Sequence, residues 1–153
     1  MIDKDDWGLS QALFDHIVSV FGILPTVDWF ASDYNAKLPR FYSRFWNPHS
    51  EGIDALSECW TFEFGYFFPP IGILHKVLEK LKSDKAEGIL VVPRWPSALF
   101  WPMICPKGFF IEQVKSCIVL PRDKAFYTKC QNGKGIFGNV DLEFDMLALL
   151  VKF

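Results

Sequence analysis

The stretch "TFEFGYFFPPIGILHKVLEKLKSDKAEGILVVP" (61–93) contains the pattern of a strand, a helix and a second strand. Residues 61–68 are rich in aromatic side chains and predict a strand, which Pro69–Pro70 end. Residues 71–84 place apolar side chains at helical spacing and charged ones between them, so they predict an amphipathic helix. The apolar run 88–93 is typical of a strand covered on both faces. This order of elements predicts a parallel α/β sheet.

The flanking sequence extends this sheet on both sides. Residues 9–22 predict a helix that Ser10 caps and Gly22 ends, and a short strand follows it. The last strands lie too close together for crossover helices, so we expect an antiparallel edge at the C-terminal side. Residues 32–60 predict irregular structure, and 95–104 a short helix. The additional strands are predicted at 26–31, 115–121, 135–138 and 146–153.

Length and composition indicate one intracellular domain. The 153 residues are enough to bury a core, so we expect a single domain over 1–153, in the nucleus or the cytoplasm. Half of the residues are hydrophobic and 17% are aromatic, which leaves aromatic surface available to cover a partner. No apolar run is long enough for a membrane helix, and the acidic start "MIDKDDWG" is unlike a signal peptide. A net charge of −2 argues against a globally basic nucleic-acid binder.

The cysteines and histidines do not form a metal-binding pattern. The four cysteines are far apart in the sequence and make no Cys-x-x-Cys pair, and the three histidines are scattered as well. We therefore expect no metal and no disulfide framework, and we interpret the cysteines as reduced, mostly buried thiols.

Four blocks of sequence, in order, resemble one protein family. They are "VDWFASDYNAKLPRF" (27–41), "DALSECW" (54–60), "FFPPI" (67–71) and "ILVVPRWPSALFW" (89–101). Together they resemble the phage-type Dam (DNA N6-adenine methyltransferase) family. The resemblance is closer still to the Dam-like domain that follows RNase H in polyproteins of DIRS-type, tyrosine-recombinase retrotransposons.

This resemblance implies a Rossmann-like methyltransferase fold, with a mostly parallel sheet and helices on both faces. It implies S-adenosylmethionine as the cofactor, if any is bound, and adenine in DNA as the substrate. The family's first motif, at the cofactor pocket, falls on Asp28, Phe30 and Ala31, with Asn35 in the adjacent loop. A glycine-rich turn would let the main chain approach the cofactor, but Ser32–Tyr34 stand there instead. A strand-end or turn role for Asp28 is an equally good interpretation.

The catalytic motif of the family falls on Phe68, Pro69, Pro70 and Ile71. In active members it reads Asp or Asn, Pro, Pro, then Tyr or Phe. The first side chain accepts a hydrogen from the adenine amine, and the last stacks on the flipped base. Phe68 can accept no hydrogen bond and Ile71 offers no ring. We therefore expect a catalytically inactive domain. The alternative is an active adenine methyltransferase with a rearranged site, in which Asp54 or Asp33 supplies the acceptor.

Basic and aromatic residues in or just after two of these blocks are candidates for a nucleic-acid surface. Lys37, Arg40 and Arg44 lie in a segment without acids, and Arg94 and Trp95 follow a predicted strand. Guanidinium groups suit phosphates and indole rings suit bases. The alternatives are that the loop aromatics form a lid over the sheet, that Trp95 caps it, and that Arg94 pairs with an acid. DNA or RNA, reverse transcriptase and RNase H domains, or another protein are the candidate partners.

Overall fold

The computed structural model describes residues 8–31, 35–43, 48–128 and 140–153. It contains two helices, α1 (Gln11–Phe21) and α2 (Leu74–Ser83), joined to eight strands. The predicted strand at 135–138 lies outside the described residues. The strands are β1 (Gly8–Leu9), β2 (Val27–Ala31), β3 (Phe41–Ser43), β4 (Phe64–Phe67), β5 (Glu87–Pro93), β6 (Val114–Leu120), β7 (Tyr127–Thr128) and β8 (Met146–Lys152).

The main sheet has six strands in the order β3-β2-β4-β5-β8-β6. The pairs β3–β2, β2–β4 and β4–β5 are parallel, which confirms the parallel sheet predicted from residues 61–93. β8 runs antiparallel to both of its neighbours. The antiparallel edge on the C-terminal side is thus confirmed, and within it β8 lies between β5 and β6.

One helix covers each face of this sheet, as predicted. The α1-face core contains Leu13, Phe14 and Ile17 of the helix, together with alternate residues of β4 and β5. The α2-face core contains Leu74, Val77, Leu78 and Leu81, together with the intervening strand residues. Because strand side chains alternate, Tyr66 and Phe68 belong to the first core and Phe67 to the second. The continuous apolar run of β5 follows, because the strand is buried by one core on each of its two faces.

Three local expectations are corrected. Residues 32–60 are not wholly irregular, because β3 pairs in parallel with β2 inside that range. Residues 95–104 form turns and a short 3-10 helix at Trp101–Met103 rather than an α-helix, since Pro102 lies within the segment. A second sheet, which the sequence did not predict, pairs β1 antiparallel with β7.

The thiols of Cys59, Cys105 and Cys117 are free. The expectation that the cysteines are mostly buried is wrong for these three, since Cys59 and Cys117 are exposed and Cys105 is partly exposed. In the part of the chain that the structure describes, no helix is long and apolar enough to cross a membrane.

The ends of α1 are fixed by the residues that the sequence analysis named. The Ser10 hydroxyl accepts a hydrogen bond from the Leu13 N–H at 3.2 Å, and Gly22 ends the helix with φ at 74°. Replacing Ser10 by alanine is expected to lower the free energy of unfolding by about 1 kcal/mol, because the Leu13 N–H in the first turn of the helix loses its acceptor. Urea unfolding measures this. Ser10→Asn, which keeps an acceptor, should lose much less, and equal losses in the two variants would contradict the capping role.

Candidate functional site

The candidate site lies where the parallel strands end. β2, β4 and β5 are neighbours with Val27 opposite Gly65 and Phe67 opposite Leu90. Their carboxyl ends therefore reach one edge of the sheet, where ligands bind in open α/β folds. The structure thus brings three of the four sequence blocks to a common edge.

The residue before the two prolines points into the core. Phe68 is 4% exposed and packs in the α1-face core with Tyr66, Ile89 and Val91. Ile71, after the prolines, is half-buried against the same core. Both chemical positions of the motif are therefore apolar and turned to the interior.

The prolines themselves shape the chain at this point. Pro69 is buried, and the Pro70 carbonyl accepts the Ile73 N–H at 3.1 Å, which starts the 3-10 turn Ile71–Ile73. This turn leads directly into α2. The prolines thus connect the strand to the helix in a fixed geometry, independently of any chemistry.

Asp28 is a buried carboxyl group with incomplete hydrogen bonding. It is 1% exposed, and its Oδ2 accepts the Lys37 N–H at 3.0 Å. Among the described residues, no hydrogen-bond partner reaches its Oδ1 or the hydroxyl of Tyr66, which is 2% exposed. Asp28 and Tyr66 are register partners on β2 and β4, so their side chains lie on the same face. Two unpartnered polar groups therefore adjoin each other in the α1-face core.

Burial dominates the electrostatics around this carboxyl. It raises the pKa of Asp28 to about 7, against the smaller opposing effects of the Lys37 N–H and the Lys37 charge. Burial likewise lowers the pKa of the Lys37 ammonium and raises that of the Tyr66 phenol. Asp28 is therefore about half protonated at neutral pH rather than a fixed negative charge.

The other predicted cofactor residues are separated by the sheet. Phe30 is half-buried on the α2 face, where its ring meets that of Trp60 edge-on at 6.1 Å. Ala31 is the last residue of β2 and is half-buried. Asn35 is 7% exposed and packs close to Gly8, at the small second sheet. Ser32–Tyr34, the residues in place of a glycine-rich turn, lie outside the described residues.

The candidate nucleic-acid residues of the first block are largely engaged. The Arg40 guanidinium binds two carboxylates, with Nε 2.9 Å from Glu51 Oε1 and Nη2 2.7 Å from Glu63 Oε2. Lys37 is half-buried beside Asp28. Arg44 lies outside the described residues. A phosphate that binds Arg40 would therefore compete with these two glutamates.

The loop aromatics Phe41 and Tyr42 lie within the sheet, and Phe45 and Trp46 lie outside the described residues. Phe41 is 5% exposed, and the Tyr42 ring lies 4.7 Å from that of Trp29. Both residues belong to β3, at the edge of the sheet. They pack on the sheet instead of presenting rings to solvent.

Arg94 and Trp95 follow β5 at the carboxyl edge. The Trp95 ring is half-buried and meets Phe144 edge-on at 5.0 Å, which fits the capping interpretation. The Arg94 N–H donates to the Asp145 carbonyl at 2.8 Å, while its side chain is exposed and forms no ion pair with the described residues. Arg122 instead pairs with Asp145 at 2.9 Å.

Sequence reasoning missed two parts of this region. The sequence analysis does not single out Tyr66, although strand alternation places it on the face of Phe68 and parallel pairing places it beside Asp28. The glutamates that bind Arg40 were missed because Glu51 and Glu63 lie 11 and 23 residues away. Only the pairing of β2 with its neighbours brings these carboxylates to the arginine.

The residues that the structure describes contain no group of three or more His, Cys, Asp or Glu side chains that could hold a metal ion. A scan of the sequence against models of protein families finds no match. A search of curated proteins also finds none.

Proposed function

We propose that this chain is a methyltransferase-like domain of the retroelement type, related to the phage-type Dam family, that lacks catalytic activity and acts as an accessory interaction module. The strand order supports this proposal. The resemblance implies a Rossmann-like, mostly parallel sheet, and the sequence predicts antiparallel pairing on its C-terminal side. Here β8 forms this antiparallel pairing, between β5 and β6.

The burial of Phe68 is the observation that carries the proposal of inactivity. Transfer of a methyl group to the adenine amine needs an acceptor for its hydrogens at the position before Pro-Pro. Phe68 has no polar side-chain atom and is 4% exposed in the α1-face core. No rotation of this side chain can supply the missing acceptor.

The replacement acceptor that the sequence left open is poorly placed. Asp54 precedes the 3-10 turn Ala55–Ser57, and Ala55 belongs to the α2-face core. Phe68 belongs to the core on the opposite face. Asp33 lies outside the described residues. The arrangement of Asp54 therefore argues against the alternative of a rearranged active enzyme.

The cofactor side supports the same conclusion. Asp28 would meet a ligand only after the surrounding side chains move, because it is 1% exposed. Its pKa of about 7, raised by burial, also makes it a weak fixed charge at neutral pH. A preformed S-adenosylmethionine pocket would need a cleft that reaches this carboxyl group, whereas Asp28 is buried.

The exposed side chains fit an accessory role in protein binding better than one in nucleic-acid binding. Arg40 is neutralised by Glu51 and Glu63, while large apolar side chains such as Phe62 and Phe109 are 91% and 80% exposed. Exposed aromatic groups of this size suit a protein interface. Neighbouring reverse transcriptase or RNase H domains are candidate partners, and nucleic acid is the second candidate.

The test is methyl transfer from labelled S-adenosylmethionine to unmethylated, adenine-containing DNA. The protein is expected to transfer no label above background. Millimolar cofactor is also expected to leave thermal stability unchanged. A cofactor at 100 times its dissociation constant would add about 2.7 kcal/mol to the folded state. Transfer that disappears in Asp54→Asn or Asp28→Asn would overturn the proposed inactivity.

A restored motif provides the matched variant. Phe68→Asn with Ile71→Tyr returns both chemical groups, yet is expected to stay inactive because the cofactor side lacks its glycines. Circular dichroism must first establish that the variant folds, since it places a polar group in the core. Methylation by the folded variant well above the parent would contradict the proposed loss of cofactor binding.

A further inference from the structure

β6 forms one edge of the main sheet. Its seven residues, Val114–Leu120, pair with β8, and no other described strand pairs with them. The main-chain groups on its outer side are therefore available to another strand.

Features that normally prevent such pairing are confined to the ends of β6. Lys115 and a register irregularity between Val114 and Ser116 lie at its start, and Pro121 follows its last residue. The central residues, Ser116–Leu120, contain no charge and no proline, and their pairing with β8 is regular. Edge strands with such a centre are prone to pair with a further strand.

The sheet face beside this edge is also uncovered. Cys117 and Val119 are register partners of Leu149 and Leu147, so they share the α2 face with them. The two leucines are at most 2% exposed, whereas Val119 is 61% exposed and Cys117 is exposed. The apolar cover of the sheet thus ends at β8.

Exposed aromatic side chains also adjoin the α2-face core. The Phe110 ring lies 6.2 Å from that of Trp101, a member of the α2-face core, and remains 37% exposed. Phe109, beside it in the chain, is 80% exposed. An apolar face and an unpaired strand therefore occur at the same end of the sheet, as addition of a strand requires.

We propose that β6 pairs antiparallel with β6 of a second copy of this chain, centred on Cys117, so that one sheet continues through both copies. A twofold axis at the middle residue places Ser116 opposite Ile118 of the second copy and brings Lys115, which lies at the register irregularity, next to Val119 of that copy. Lys115 is the one charged residue of the strand. No like charges then face each other, so the edge is complementary to itself. This pairing is independent of any methyltransferase-like role.

The test is Val119→Lys, measured by sedimentation velocity of the whole chain over a wide range of concentrations. The parent protein is expected to dimerise reversibly. The substitution is expected to raise the dissociation constant about tenfold, because two lysine pairs then face each other across the axis. Val119 is already 61% exposed, so the monomer should fold normally. Circular dichroism checks this.

Two further variants separate strand pairing from general hydrophobic association. Adding Lys115→Glu to Val119→Lys creates two opposite-charge pairs and should restore the dimer. Leu24→Lys removes another apolar side chain, 63% exposed, and should leave the dimer unchanged. Mild oxidation should also cross-link the dimer through Cys117, and Cys117→Ser should prevent this.

The proposal has clear contrary results. A parent protein that is monomeric at all concentrations would overturn it. A dimer that Val119→Lys leaves intact, or that Leu24→Lys weakens equally, would place the interface elsewhere. Failure of the charge exchange to restore the dimer would refute the register centred on Cys117.

Discussion

Gly88→Ala is expected to destabilise the protein by about 3 kcal/mol, which is a large part of the stability of an ordinary domain. Gly88 lies on β5 directly opposite Gly65 of β4. A methyl group at Gly88 would overlap the main-chain oxygen of Gly65, which cannot move aside as a flexible side chain would. The two central parallel strands would have to separate, and both helices pack on them.

Gly72→Ala is the matched control for this substitution. Gly72 lies in the exposed turn before α2, and a methyl group there would meet nothing within 4 Å. Urea unfolding of both variants gives the comparison, and the control should remain close to the parent. Equal unfolding midpoints for the two variants would show that β4 and β5 are not as close as the structure places them.

The parts of the fold that the sequence predicted correctly depend on local patterns. The apolar face of α2 is visible as apolar residues repeated over a few helical turns, and each cap of α1 is visible as a single residue at the helix end. The apolar run of β5 is bounded by Gly88 and Pro93. Such patterns need no knowledge of distant neighbours. Residues 61–93 were therefore sufficient for the parallel core of the sheet.

The elements that the sequence missed are fixed by distant pairing. β3 has three residues, and β1 and β7 have two each. Strands this short carry almost no periodic signal and exist because a partner strand supplies the hydrogen bonds. The position of β8 was missed for a related reason, since sequence order indicated its direction but not its neighbours.

The candidate site was predictable by residue but not by environment. The sequence identified Asp28 and Phe68, yet their depths depend on the α1-face core, to which the helix, β4 and β5 all contribute. The pairing of Arg40 with Glu51 and Glu63 likewise follows from the loops that the sheet brings together. Charge and burial at a site are properties of tertiary packing, so composition could not give them.

Asp28→Asn is expected to stabilise the protein at pH 8, by an amount that disappears near pH 4. Burial raises the Asp28 pKa from 3.8 to about 7. Between these values the folded state holds a proton that the unfolded state has released, so stability falls as the pH rises through this range. The whole effect amounts to about 4 kcal/mol above pH 7. Asparagine avoids that cost because it carries no charge at any of these pH values.

The gain in the variant should be smaller than this limit, about 2 kcal/mol, because the new amide must itself be satisfied in the core. The amide oxygen can keep the Lys37 N–H, and its NH₂ group lies on the face where the Tyr66 hydroxyl has no partner. The charged and titratable groups around the site are Lys37, Tyr66 and, acting on Lys37, Asp15. All three residues are kept in the variant, so the difference between variant and parent reports Asp28 together with its effect on the pKa of Lys37 and of Tyr66.

Urea unfolding of parent and variant at pH 4, 6 and 8 measures this difference. Asp54→Asn, which removes an exposed carboxylate, is the control and should track the parent throughout. If the stability difference between variant and parent grows from pH 4 to pH 8, then Asp28 is protonated in the folded protein at pH values where an ordinary aspartate is charged. A carboxylate built to bind a cofactor would instead be charged over this whole range. A variant less stable than the parent at pH 8 would instead mean that the carboxylate is charged and well satisfied in the folded protein. That result would reopen the possibility of a functional cofactor site at this edge of the sheet.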